Sequence, residues 1–325
     1  MPNKQQTILS GTGIYQNATG PMRYRLTNDY LFKQLLQRNQ HVLKALICSL
    51  LHFSPDQVAD AIVTNPIIVG EQITDKTIIL DVNVVFNSGS RINIEMQVVN
   101  ERNWTERSTL YACRNFADLN EGEKYKNIKP VYQVGFLDFT LFPDRPDFYS
   151  TYKLMDIKTQ RIFTEKLSIR IIDLTKINLA TEEDKRYNID RWARLFKAQT
   201  WEEIRMLAAQ DAIMEDAATT LYQLSEDERI RMECWAREDR LKREQAREEI
   251  IEEQQQALAE KDQELAVKDQ ELQSKDQELQ SKDQELQSKD QELQSKDQEL
   301  QKKDLALAEK DKIIAALQAQ LGIPK

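Results

Sequence analysis

Apolar and polar positions alternate through residues 77–86 and 91–99, two Ile- and Val-rich runs separated by Asn-Ser-Gly-Ser, and this pattern predicts a β-hairpin. Side chains two apart share a strand face. Leu80, Val82, Val84 and Phe86 are expected on one face with Ile92, Ile94, Met96 and Val98; Asp81 and Asn83 then lie on the other with Arg91, Asn93, Glu95 and Gln97. A three-residue loop of Asn87, Ser88 and Gly89 sets Asp81 opposite Glu95, and shifting that loop by one residue sets it opposite Gln97. A two-residue Ser88-Gly89 loop would pair Asp81 with Met96 and break the alternation. The three-residue loop is expected, with Gly89 in the left-handed region.

The rest of the first 224 residues reads as mixed helix and strand. A helix starts at Asp29, capped by Thr27 or Asn28, with the Asp29 charge suited to a helix N-terminus. A second helix covers about 41–51, Ser54-Pro55-Asp56 opens a short third, and a first strand is expected around 67–73. Thr105 to Leu119 reads as a helix capped by Thr105, with Leu110, Tyr111, Ala112, Phe116 and Leu119 as its apolar positions. Pro130–Phe139 is nearly continuous in apolar character, as a buried strand should be. YKLMDI and KLSIRIIDL, within 140–173, extend the sheet or cover one edge. Trp192, Phe196, Trp201, Ile204, Met206, Leu207, Met214, Leu221, Tyr222 and Leu224 lie on helical spacing and are expected to pack on the core.

Beyond residue 224 the pattern changes to a heptad. Ser225 with Glu228 reads as a capping box and Leu321-Gly322-Ile323-Pro324 as a helix stop, about 140 Å apart if continuously helical. KDQELQS repeats unchanged from Lys268 to Ser295, and leucine recurs every seventh residue from Leu258 to Leu307. A coiled coil needs two apolar positions per heptad, and here the second is Lys or Asp. Glu-to-Lys pairs at i,i+4 support the helix from within. Only Ile314, Leu317 and Leu321 restore a full apolar seam, so homo-oligomerisation is expected through the C-terminal end.

Charge also divides the chain, near residue 200. The first 200 residues carry 26 Lys and Arg against 22 Asp and Glu, the remaining 125 carry 19 against 32, and the net charge is −9. A mildly basic globular part with an acidic tail is compatible with DNA as a partner. Cys48, Cys113 and Cys234 are odd in number and widely spaced, which indicates neither a disulfide framework nor a zinc site. No signal peptide and no membrane-spanning run is visible, so a cytoplasmic location without membrane association is expected. Three segments result: a loose leader over 1–22, a globular α/β domain with a helical cover over 23–224, and a long charged helix or coiled coil over 225–325.

Two carboxylates on one sheet face, with no histidine or cysteine nearby, make an all-oxygen site suited to Mg²⁺ or Mn²⁺. Such a site points to metal-assisted phosphodiester cleavage. Taken alone, an aspartate followed by a Glu-x-Gln is a weak signal that a solvated sheet face also satisfies.

The hairpin is preceded by TNDYLFKQLL and followed by ERSTLYACRNFADLNEGEKYKNIKPVYQVGFLDF. In this order the segments resemble the Rpn family of recombination-promoting nucleases, also described as transposases, a branch of the PD-(D/E)XK nuclease superfamily. The resemblance runs from about Tyr24 to Leu224. It rests on Asp29, Phe32 and Lys33, then Asp81, Glu95 and Gln97, then Glu106, Arg107, Tyr111 and Arg114, then Gly122, Tyr125, Pro130 and Val131. It implies a restriction-endonuclease-like α/β core: a helix, a three-stranded antiparallel meander, a crossover helix and a further strand, in a mixed sheet flanked by helices. It also implies a metal held by Asp81, Glu95 and the backbone carbonyl of Met96, with Asp81, Glu95 and Gln97 as catalytic residues. Gln97 replaces the superfamily's usual lysine; it can orient a water or phosphate oxygen but carries no charge. Asp29 is a helix-start charge or a support beside the metal. Lys33 and Arg91 are candidate cations or surface charges, and Arg107 and Arg114, seven apart on one helix, contact phosphates or pair with Glu106 or Asp118. The expected function is a metal-dependent DNA endonuclease linked to recombination, mobile elements or defence. The alternative is a catalytically silent nuclease-fold DNA binder assembled through its tail.

Overall fold

The computed structural model describes residues 13–64, 82–87, 89–117 and 124–320. Its first strand, β1 (Ala61–Val63), pairs antiparallel with β2 (Val82–Phe86), and β2 pairs antiparallel with β3 (Ser90–Gln97). The strand expected around 67–73 lies outside the described residues, and β1 ends before it. Val82 faces Ile94, Val84 faces Ile92 and Phe86 faces Ser90, which is the register of a three-residue loop. Asn87 and Gly89 both take positive φ, 46° and 117°, a conformation that glycine and asparagine tolerate best.

The chain leaves β3 through α3 (Trp104–Phe116) and returns to β4 (Val131–Leu137), which runs parallel to β3. Parallel neighbours need such a crossover. The sheet is completed by β6 (Leu167–Asp173), parallel to β4, and by β5 (Tyr149–Lys153), antiparallel to β6 at the edge. The order is β1-β2-β3-β4-β6-β5. Among the described residues the fold is a mixed six-stranded α/β sheet flanked by helices, with a long C-terminal helix.

Alternation sorts the sheet into two packed faces. Val82, Val84, Phe86, Ile92, Ile94, Met96, Val134, Phe136 and Ile172 enter the main core. There they meet α1 (Asp29–Arg38), α2 (Gln40–Leu51) and α5 (Ile189–Lys197). Phe32, Phe136 and Phe196 form a triangle of edge-to-face rings with centroids 4.9–6.2 Å apart. On the opposite face Leu137 and Ile171 pack with Trp104 of α3 in a smaller cluster. Val98, expected in the core, lies past the end of β3 and is exposed.

Helix starts follow side-chain chemistry more closely than periodicity. Asn28 caps α1 by accepting from the Leu31 N–H. Residue Asn103, not Thr105, stands before α3; the Thr105 carbonyl instead accepts the Ser108 and Thr109 hydroxyls inside the helix. Leu110, assigned to the apolar face, is exposed, and Leu119 lies outside the described residues. After α4 (Glu182–Arg186), α6 (Trp201–Ala208) and α7 (Ala212–Glu226), the start of α8 (Glu228–Gln320) is capped by Asp227. Ser225, the expected cap, is still in α7 and donates to the Tyr222 carbonyl. The predicted apolar positions of α5 to α7 are buried or half-buried apart from Met206, which faces out.

Residues 13–22, expected as a loose leader, are tied to the globular part. Tyr15 and Met22 are buried, and the Met22 N–H donates to the Gln199 carbonyl at 2.8 Å. Asn28 donates to the Cys234 carbonyl and Asp29 pairs with Arg237, so the first turns of α8 also join this core.

His52 ends α2 in the left-handed region and stacks on Tyr187 with centroids 4.0 Å apart. Burial, then the Arg170 guanidinium, lower its pKa from the usual 6.5. An unfolded histidine takes up a proton near that value while the folded one resists, so stability is retained above it and lost as pH falls below it. The wild type is expected to lose melting temperature between about pH 7 and pH 5 more steeply than His52→Asn, which tolerates the same backbone. Parallel slopes in calorimetric scans would contradict this.

The chain divides into two compact units, residues 1–243 and 244–325. The second is helical through Gln320, and its heptad leucines from Leu258 to Leu307 are each more than half exposed. Glu278–Lys282, Glu285–Lys289, Glu292–Lys296 and Glu299–Lys303 make the expected i,i+4 pairs at 2.6–2.9 Å. The predicted stop at Leu321–Pro324 lies outside the described residues.

Candidate active site

Glu95 lies near the C-terminal end of β3, on the face covered by α3, and is 1% exposed. An ionised carboxylate at such depth must be compensated. Its Oε1 accepts from the side-chain amides of Gln133, at 2.6 Å, and Asn93, at 3.0 Å. The Asn93 amide also donates to Gln133 Oε1 at 3.1 Å. These three side chains form a closed buried network across the β3–β4 register that sets Asn93 beside Gln133 and Glu95 beside Gly135.

The guanidinium of Arg107 completes the surround from α3. Its Nη2 is 3.8 Å from Glu95 Oε2, while Nη1 donates to Glu101 at 2.8 Å. The first contact is electrostatic and beyond hydrogen-bond range. Of the two expected partners of Arg107, Glu106 instead accepts from Thr105, and Asp118 lies outside the described residues. Arg107 Nε and Asn93 Oδ1 are buried without a hydrogen-bond partner among the described residues.

Gly135 explains how α3 comes this close. A Cβ on Gly135 would collide with the ring of Trp104, the first residue of α3. The missing side chain seats the indole against β4, and the same turn of helix carries Arg107 over Glu95.

The remaining sequence-predicted residues are distributed as follows. Asp81 lies outside the described residues; the last described pair of the hairpin on that side is Val82 with Ile94. Gln97 is half-buried at the end of β3, and its carbonyl accepts from the Asp138 N–H, hence faces β4. Backbone alternation turns the Met96 carbonyl the other way, toward β2, while its side chain is in the core. Asp29 is engaged by Arg237 on α8 at 2.6–2.9 Å, which gives its carboxylate a structural partner. Lys33 is 3% exposed and engaged, not a surface charge, and Arg91 is half-buried. Arg114 is exposed farther along α3.

Asn93, Gln133, Gly135 and Trp104 are the positions that sequence reasoning left without a role at the site. Gln133 did carry a signal: it is the one amide in an otherwise apolar buried strand, and such a group needs a partner. Replacing it with leucine should leave Glu95 Oε1 with one donor fewer. A 10- to 100-fold loss of divalent-metal affinity is expected, typical of groups that orient a ligand, with Mn²⁺ titration monitored by electron paramagnetic resonance as the check. Unchanged affinity would remove Gln133 from the site.

The donor chemistry fits a hard cation. The carboxylate of Glu95, the carbonyl of Met96 and the buried acceptor Asn93 Oδ1 are all oxygen, and a hydrated magnesium or manganese ion takes such ligands. Among the described residues no group of three His, Cys, Asp or Glu forms a metal cluster, and no helix is long and apolar enough to cross a membrane.

Searches of curated proteins and of solved structures returned no match. A family model described as PD-(D/E)XK nuclease family transposase matches residues 26–254, a span that includes the whole sheet, the buried Glu95 network and the crossover helix above it. The chain belongs to the PD-(D/E)XK nuclease family transposases.

Proposed function

We propose that this protein is a metal-dependent DNA endonuclease that hydrolyses phosphodiester bonds, with Asp81, Glu95 and the Met96 carbonyl holding Mg²⁺ or Mn²⁺ and Gln97 positioning water. The observation that supports it most is the burial of Glu95 within a hydrogen-bonded polar network between β3 and β4. A stable fold does not need that charge there, and burying it is costly. The hairpin register supports this reading as far as it is described: Val82 with Ile94 and Phe86 with Ser90 is the three-residue-loop register on which the expected pairing of Asp81 with Glu95 rests.

When bound, the cation would polarise a phosphoryl oxygen and lower the pKa of a water. Glu95 contributes a carboxylate whose orientation is fixed in advance by Asn93 and Gln133. Arg107 offers positive charge beside it, either offsetting Glu95 or meeting a DNA phosphate. Gln97 hydrogen-bonds the attacking water without supplying charge.

Involvement in recombination, mobile-element movement or defence is the broader role consistent with the family. The exposed leucines of the tail support a homo-oligomer formed through the C-terminal helix. The test is relaxation of supercoiled plasmid with Mg²⁺ by wild type, Asp81→Ala and Glu95→Ala. Cleavage by wild type alone supports the reading, and cleavage by all three contradicts it. Retained DNA binding with no cleavage by any of them would favour the catalytically silent binder.

A further inference from the structure

The loop joining β5 to β6 forms a hydrogen-bonded arm that the proposed chemistry does not use. Beyond Lys153 the two limbs remain paired: Phe163 N–H donates to the Leu154 carbonyl, and Asp156 N–H to the Arg161 carbonyl, both at 2.9 Å. The tip is closed by Asp156, whose Oδ1 accepts from the Lys158 and Thr159 N–H groups. An ordered arm of this kind would normally hide its large apolar groups. Instead Ile157 is 94% exposed and Phe163 81%.

A second exposed ring lies on the neighbouring turn. Tyr125 is 84% exposed, in the short helical turn before β4. Lys166, at the base of the arm, donates to the carbonyls of Lys126 and Ile128 at 3.0 and 2.8 Å, so the turn and the arm are fastened together.

Exposed cations surround these groups. Lys126, Lys158 and Arg161 are exposed, and none is in an ion pair among the described residues. Among the described residues, the acids of the arm are engaged: Asp156 accepts backbone N–H groups in the tip turn, and Glu165 pairs with Lys153 at 2.5 Å. Open aromatic faces with unpaired cations suit a polyanion that carries flat rings. Single-stranded nucleic acid is such a partner, because unstacked bases can use both features, whereas a duplex offers mainly phosphates.

We propose that the β5–β6 arm and the Tyr125 turn hold an unpaired DNA strand, its bases against Phe163, Tyr125 and Ile157 and its phosphates against Lys126, Lys158 and Arg161. This deepens the endonuclease reading and rests on DNA being the substrate. Val131 and Leu167, where the turn and the arm enter the sheet, are paired, and lie four residues before Gly135 and Ile171. The base of the arm is therefore about 13 Å along the strands from Glu95, and the holding residues lie beyond that base.

Fluorescence anisotropy tests this on the full chain, with a labelled oligothymidine and a duplex of equal length. Chelator is present, so no cleavage is involved. The oligothymidine should bind more tightly than the duplex, and Phe163→Ala and Tyr125→Ala should each weaken it about tenfold. Lys158→Ala with Arg161→Ala should reduce the slope of log affinity against log salt by about 1.4. All four side chains are exposed, so folding is not at issue. Equal binding of both DNAs, or oligothymidine affinity indifferent to the two aromatic substitutions, overturns the proposal. So does a change in sedimentation by Phe163→Ala with affinity intact, which would make the arm a protein-docking surface. Plasmid relaxation that still requires Glu95 would show, in any of those cases, that the endonuclease reading survives.

Discussion

Glu95→Ala is expected to lower Mg²⁺-dependent plasmid relaxation on the order of 10³-fold. A metal ion contributes several kcal/mol of transition-state charge stabilisation, and each 1.4 kcal/mol is about tenfold in rate. Loss of that carboxylate also strands its partners: the amides of Gln133 and Asn93 lose an acceptor and Arg107 loses a counter-charge. Glu95→Gln keeps the shape and one oxygen to accept from Gln133 and Asn93 while removing the charge, and should be nearly as inactive. If Glu95→Gln cleaved like wild type, the carboxylate would be a structural feature only. Circular dichroism of both variants separates loss of chemistry from loss of fold.

Gly135→Val should destabilise the globular unit by about 3 kcal/mol, near the upper end of overpacking effects. Valine is otherwise a good strand residue, so propensity opposes the loss and steric collision dominates. The Trp104 ring occupies the space that any Cβ at position 135 would enter, and Trp104 is 3% exposed. Displacing Trp104 displaces the start of α3, and with it Arg107. Cleavage should therefore fall with stability. Combining Gly135→Val with Trp104→Ala tests the cause: a collision would be relieved, so the two losses should sum to less than their separate values in urea unfolding. Strict additivity would place the cost elsewhere.

The hairpin was legible because period-two alternation and a three-residue loop constrain one another; a slip of one residue would have set the apolar face of β2 against the polar face of β3. The strands after it were legible from apolar runs, although β5 stops at Lys153 and leaves Leu154, Met155 and Ile157 exposed. Helix boundaries were less so. Thr105 and Ser225 are good caps in isolation, yet Asn103 stands before α3 and Asp227 caps α8, because the preceding backbone sets where each helix can start. At the site, Glu95 and its face were visible in the spacing. Its neighbours were not, because Gln133 and Gly135 reach Glu95 only through parallel pairing after a crossover, and nothing local in the sequence fixes that register. Lys33 looked like a surface charge because its burial depends on the whole α1 interface.

Whether Asp81 and Glu95 share one cation is decided by an anomalous-scattering crystal structure of the full chain grown with Mn²⁺. One manganese peak bound by both carboxylates and the Met96 carbonyl at about 2.1 Å is expected. A peak elsewhere, or Asp81 and Glu95 projecting from opposite faces of the sheet, would contradict it.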